Sequence, residues 1–177
     1  MKEKGTTYKY TTTSGTLTAN WTVANYSVGD DYYATLATAY AAIGTSGTIK
    51  VEKNNTDSST FTVANGKTIT LELNGKTITR TSKSIIVSAG GTLIINDTPG
   101  NGVIQTATDG TNTLANLISN SGTLTVNNGT IHNLGHASSS WYAINGASGT
   151  TNIKGGKIKS SRREISLAYS STTAFSK

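Results

Sequence analysis

The stretch Thr123-Leu-Thr-Val-Asn-Asn-Gly-Thr-Ile131 holds two short runs in which every second residue is apolar. They are split by an Asn-Asn-Gly corner whose residues tolerate φ > 0. The pattern recurs as Thr70-Leu-Glu-Leu-Asn-Gly-Lys-Thr-Ile78, as Thr92-Leu-Ile-Ile-Asn-Asp-Thr-Pro-Gly-Asn-Gly-Val-Ile104 and as Thr150-Thr-Asn-Ile-Lys-Gly-Gly-Lys-Ile158. The closing isoleucines Ile78, Ile104, Ile131 and Ile158 are separated by 26, 27 and 27 residues. Alternation with period 2 is a strand signal, and a constant period over four copies is the signature of a repeat architecture.

Aligned on their first Thr, the copies share apolar columns: Leu71, Leu93, Leu124 and Thr151, then Leu73, Ile95, Val126 and Ile153, then the four isoleucines. The alternate columns are polar: Thr70, Thr92, Thr123 and Thr150, then Glu72, Ile94, Thr125 and Asn152, then Thr79, Gln105, His132 and Lys159. The first copy also fits with Ile69 in place of Leu71. That two-residue shift leaves the inward and outward faces unchanged. A third apolar element precedes each copy: Phe61 and Val63, Ile85 to Val87, Leu117 and Ile118, then Ala143 and Ile144. Three short strands and three corners per repeat describe one coil of a parallel β-helix, in which like residues stack on like.

Composition agrees. Of 177 residues, 34% are hydrophobic and 14% charged, while 33 Thr, 20 Ser, 16 Asn and 19 Gly dominate. Such a chain resembles a disordered tract, but its Ile, Val, Leu and Tyr are periodically placed and Thr suits strands. The absence of Cys removes disulfide scaffolds, thiolate zinc sites and cysteine nucleophiles. No run approaches the roughly 18 apolar residues of a membrane-spanning helix. The net charge of +6 comes from 15 basic and 9 acidic residues. Arg is scarce and forms no stripe, so no nucleic-acid partner is expected.

The segment 30–44 is the one good helix, with Asp30 or Asp31 as N-cap, Gly44 as stop, and Tyr33, Leu36, Ala37, Tyr40 and Ile43 on one face. It is expected to cap the first coil, which begins at Gly47. Residues 1–29 are a Thr-rich strand pair or tail, and 45–177 the β-helix. Ile165, Leu167 and Tyr169 alternate as one more strand, with no helix after them. Met1 is followed by Lys-Glu-Lys-Gly without an apolar h-region. We expect a piece of a longer chain.

The stretch from Tyr33 to Val51, followed by Lys67-Thr-Ile-Thr-Leu-Glu-Leu-Asn-Gly-Lys-Thr-Ile78, resembles right-handed β-helix regions of large surface proteins of Gram-positive bacteria. These share their architecture with pectate-lyase-like enzymes. The similarity spans residues 30 to 160. It implies an all-β, right-handed parallel β-helix of about five coils with an N-terminal capping helix, in an extracellular, cell-surface setting.

Polysaccharide-cleaving β-helices need clustered carboxylates, either holding Ca²⁺ or paired for acid–base work. Here no polar column carries two acids on successive coils, and Asp97 and Asp109 have no spacing that joins them. No catalytic residue, metal ligand or cofactor is expected. Two binding candidates remain. Gly135-His-Ala-Ser-Ser-Ser-Trp-Tyr142 is a longer corner in which His136, Trp141 and Tyr142 have the side chains to stack on a sugar ring. Lys154, Lys157, Lys159, Arg162 and Arg163 form the densest basic cluster, suited to anionic glycans or teichoic-type polymers. The Thr column also invites an ice-binding reading, but its partner column of Glu72, Ile94, Thr125 and Asn152 breaks the array. The expected function is a non-catalytic structural or adhesive module contacting cell-surface or host glycans, within a larger parent protein. The alternatives are a degenerate or partial polysaccharide lyase or hydrolase, and a trimeric phage tail-spike-like receptor binder.

Overall fold

The structure is a computed structural model. It describes residues 6–13, 16–108, 114–135, 142–146, 148–161, 163–167 and 172–175; residues 6–13, 16–22, 163–164, 166–167 and 172–175 are described by their backbone. An antiparallel pair, β1 (Thr6–Thr13) and β2 (Thr16–Val23), comes first. A second hairpin follows, β3 (Tyr26–Val28) and β4 (Asp31–Tyr33), turning through Gly29 at φ 58°. Helix α1 (Leu36–Ala41) leads into the first coil.

The coils run β5 (Ser46–Val51), β6 (Asn55–Thr56), β7 (Phe61–Val63); β8 (Thr68–Glu72), β9 (Thr77–Arg80), β10 (Ile85–Val87); β11 (Thr92–Asn96), β12 (Val103–Thr106), β13 (Asn116–Asn120); β14 (Thr123–Val126), β15 (Thr130–Asn133), β16 (Tyr142–Gly146); and β17 (Thr150–Ile153), β18 (Lys157–Ser160), β19 (Arg163–Leu167), with β20 (Thr172–Phe175) after them. Each third strand pairs in parallel with its predecessor, giving three long sheets. The first sheet has eight strands, of which β3 and β4 are antiparallel additions at its N-terminal edge. The second and third sheets have five strands each. The chain is therefore a β-solenoid of about four turns, slightly fewer than the five coils expected.

Alternation builds the core. Ile69, Leu93 and Leu124 stack with Thr151, while Ile49, Leu71, Ile95 and Val126 stack with Ile153. Ile78, Ile104 and Ile131 line the second sheet, and Phe61, Ile85, Ile118 and Ile144 the third. Apart from Ile153 at the margin, these aliphatic and aromatic side chains are fully enclosed. Each contributes about 1.5–3 kcal/mol by leaving water.

The first copy takes the shifted register. Thr92 lies opposite Thr68, Leu93 opposite Ile69 and Ile95 opposite Leu71. The alignment on Thr70 is thus corrected by two residues, with inward and outward sides preserved. Leu73, placed opposite Ile95 by that alignment, lies in the following corner, where it is buried.

The helix is shorter than the 30–44 expected. Asp31 pairs with Val28 in the hairpin, and the N-cap is Thr35. Its hydroxyl accepts from the Thr38 amide while the Thr38 hydroxyl accepts from the Thr35 amide, a reciprocal capping box. Leu36, Ala39 and Ile43 are buried beneath it. Tyr40 meets Phe61 edge to face at 5.6 Å, and Lys67 lies over its ring.

The corner entering the first sheet is sterically tight. A Cβ on Gly122 would run into the carbonyl oxygens of Gly91 and Ser88, and one on Gly149 into that of Gly122. Gly122→Ala should therefore destabilise the fold by about 1–3 kcal/mol. Gly44→Ala, which meets nothing within 4 Å, should be close to neutral. Urea unfolding of the two variants checks the contrast.

Candidate functional site

Among the described residues, the buried Tyr26, Asp57, Arg80 and Asp97 are each hydrogen-bonded into the fold. Extending the alternation of β9 by one step past Ile78 places Arg80 inward, and it is fully buried. Its Nη1 donates to Asp57 Oδ1 at 3.1 Å, its Nη2 to the Ser59 carbonyl at 2.5 Å and its Nε to the Lys83 carbonyl at 3.1 Å. The second Asp57 oxygen accepts the Leu36 amide at 2.6 Å, and Ser59 Oγ accepts the Ala37 amide. Asp57 and Ser59 thus satisfy the first N–H groups of α1, which a short helix leaves without partners. One carboxylate joins the helix to the first coil, and Arg80 joins both to the second. Beside them the Tyr26 hydroxyl donates to Asn55 Oδ1 at 2.7 Å.

Burial alone would raise the Asp57 carboxyl. Hydrogen bonds from Ser59 and the Leu36 amide, with the Arg80 charge, outweigh it and hold the group below its ordinary 3.8. Burial lowers the Arg80 guanidinium from its ordinary value, opposed by Asp57. Burial, and then the Asp57 charge, push the Tyr26 phenol upward.

The same inward column continues as Thr106, Asn133 and Ser160. The Thr106 hydroxyl donates to Asn133 Oδ1 and accepts the Leu134 amide, and Asn133 Nδ2 donates to the Tyr142 carbonyl at 2.8 Å. Among the described residues the other buried acid, Asp97, is structural too, and so is Glu72 on the outward side of β8. Asp97, buried, accepts the amides of Gly75 and Gly102 from two successive corners. Glu72 accepts the amides of Asn74 and Thr98. Asp97 meets no second carboxylate among the described residues, and Asp109 lies outside them. No group of three or more metal-binding side chains and no pocket occurs among the described residues.

Outward residues of the second sheet change in chemistry from coil to coil. One column runs Thr79, Gln105, His132, Lys159 and its neighbour Thr77, Val103, Thr130, Lys157. Lys157 and Lys159 are exposed on β18 and Lys154 is exposed in the corner before it. Burial, and then the Lys159 charge, lower the His132 imidazole below its ordinary value, so it is neutral at pH 7. This face therefore grades from hydroxyl and amide to cation along the solenoid axis.

Of the basic cluster, Arg163 opens β19 and its backbone pairs with Tyr142, while Arg162 lies outside the described residues. Of the aromatic corner, Tyr142 is half-buried at the start of β16; His136 and Trp141 lie outside the described residues. The Asp57–Arg80 tie was missed in the sequence, although the inward parity of Arg80, two residues past Ile78, was the available signal. Comparison with protein-family models, curated proteins and solved structures returned no match.

Arg80→Ala leaves a buried carboxylate unpaired and should cost about 3–5 kcal/mol, measured by urea unfolding at pH 6. The depressed Asp57 value stabilises the folded state fully above pH 3.8 and loses that contribution as pH falls through the folded value. The stability gap between the parent and Asp57→Asn should therefore be open at pH 6 and close below pH 3.8.

Proposed function

We propose that this chain is a non-catalytic structural or adhesive module of a bacterial cell-surface protein, a stiff rod that contacts anionic glycans. The reading rests on one contrast. The interior charges are consumed in holding coils and helix together, while Lys154, Lys157 and Lys159 stand exposed on one edge of an otherwise uncharged second-sheet face. Asp57 and Asp97 are buried and each of their carboxylate oxygens already accepts a hydrogen bond from the protein, so neither is presented to a sugar at the surface. Lys157 and Lys159, two residues apart on one strand with Lys154 in the corner before it, suit an anionic polymer laid along that strand, such as a uronate, sulfated or teichoic-type chain. His136, Trp141 and Tyr142, whose side chains can stack on a sugar ring, remain proposed as further contacts. The Gram-positive surface setting comes from the sequence resemblance. No helix among the described residues is long and apolar enough to cross a membrane.

An array of anionic and neutral polysaccharides tests this directly. The parent should retain anionic members at low salt and release them as salt rises. Lys157→Ala/Lys159→Ala should weaken retention about tenfold, a loss of about 1.4 kcal/mol. Equal retention by parent and double variant overturns the proposed contact. Release of new reducing or unsaturated ends from pectin, alginate or glycosaminoglycan replaces this reading with an enzyme.

A further inference from the structure

The first sheet carries a second surface of a different kind. In the register the structure adopts, its outward positions form two adjoining columns over five strands. One is Ser46, Thr68, Thr92, Thr123 and Thr150; the other is Thr48, Thr70, Ile94, Thr125 and Asn152. Pairing is one to one through every step. Of these ten positions seven are Thr and none is charged. The next column, Lys50, Glu72 and Asn96, holds the charges and is tied up: Lys50 with Glu52, Glu72 with Thr98, and Asn96 with Asn127. By contrast, none of the seven Thr hydroxyls has a side-chain hydrogen-bond partner among the described residues. Their bonding capacity is left to solvent.

We propose that this face binds ice, holding an ordered layer of water between its methyl and hydroxyl groups. Parallel strands repeat about every 4.8 Å and alternate residues about every 6.6 Å along a strand, a two-dimensional mesh close to the short repeats of the prism face of hexagonal ice. A β-branched side chain is stiff at χ1, so each Thr presents its hydroxyl and methyl at the same offset as the one above it. Water bridged to such fixed groups loses little further freedom on joining a lattice. A neutral-sugar site would call for an aromatic platform or convergent polar groups in a concavity, and this uncharged face has neither among the described residues. Ile94 interrupts the hydroxyls at the centre of the mesh while keeping its methyls. The face is separate from the lysine-bearing second sheet, so this inference stands or falls apart from the glycan contact.

Thermal hysteresis and inhibition of ice recrystallisation by the full chain test it. The parent should shape ice crystals and slow their coarsening. Thr70→Lys and Thr125→Lys, each changing one outward side chain, should abolish both effects while the circular dichroism melt stays cooperative. Thr79→Lys on the second sheet should retain them. Ile94→Thr, which completes the central strand, should raise the hysteresis above that of the parent. The proposal fails if the parent leaves ice unaltered, if activity survives both first-sheet lysines in folded protein, or if Ile94→Thr gives no increase. Adsorption to powdered cellulose or chitin that depends on Thr70 and Thr125, without any effect on ice, assigns the face to a neutral polysaccharide and overturns it.

Discussion

Parallel stacking in register, with each coil hydrogen-bonded to the coil before it, is the constraint on which the rest of this molecule depends. At an inter-strand spacing of about 4.8 Å, any residue meets its counterpart directly above and below. An inward position must therefore keep a similar volume from coil to coil, which is why Ile78, Ile104 and Ile131 repeat and why Leu71, Ile95 and Val126 interchange. A corner that brings backbones together must remain free of Cβ, as at Gly91, Gly122 and Gly149. The Thr, Ser, Asn and Gly excess is the compositional result: few inward positions per coil, many outward ones, and three corners to turn.

The same constraint explains the buried charge. The N-terminal end of a solenoid exposes strand edges and needs cover. The β3–β4 hairpin and α1 supply it, but a six-residue helix cannot hold itself in place by local propensity. Asp57 anchors its first amide, and Arg80 neutralises Asp57 from the next coil. Replacing such a pair by apolar residues is often neutral or stabilising, so its value here is positional. It holds the first turn of the helix against the first coil and ties that turn to the second.

Periodicity made the coil, its three strands and the inward or outward parity of most repeat residues legible in the sequence. Ile78 to Ile158 are evenly spaced because volume matching preserves them. The register of the first copy was ambiguous because Ile69-Thr-Leu71-Glu-Leu73 alternates for longer than one strand requires, and either pair of apolar residues satisfies the pattern. The helix start was misplaced because Asp30 and Asp31 are good caps in isolation, while pairing of Asp31 with Val28 and the Thr35–Thr38 box win in context. Arg80 escaped notice because a charged residue is expected outside, and only its partner, 23 residues earlier, makes burial tolerable. That partner lies in a corner, where no periodicity operates. Outward surfaces were the least legible, since their meaning changes with the register: the two-residue correction replaces Glu72 by Thr70 in the second Thr column, which leaves both columns uncharged.

Register is therefore the claim to measure. The chain has no Cys, so engineered pairs can be compared without background. Thr68→Cys/Thr92→Cys places the thiols on directly opposed residues, within the Cα separation of about 4.4–6.8 Å that a disulfide needs, whereas a diagonal pair lies beyond the limit of about 7 Å. Rapid oxidation of Thr68→Cys/Thr92→Cys, with Thr70→Cys/Thr92→Cys remaining reduced in the folded protein, is the predicted result. Preferential closure of the second pair would contradict the stacking from which the core and both outward faces follow.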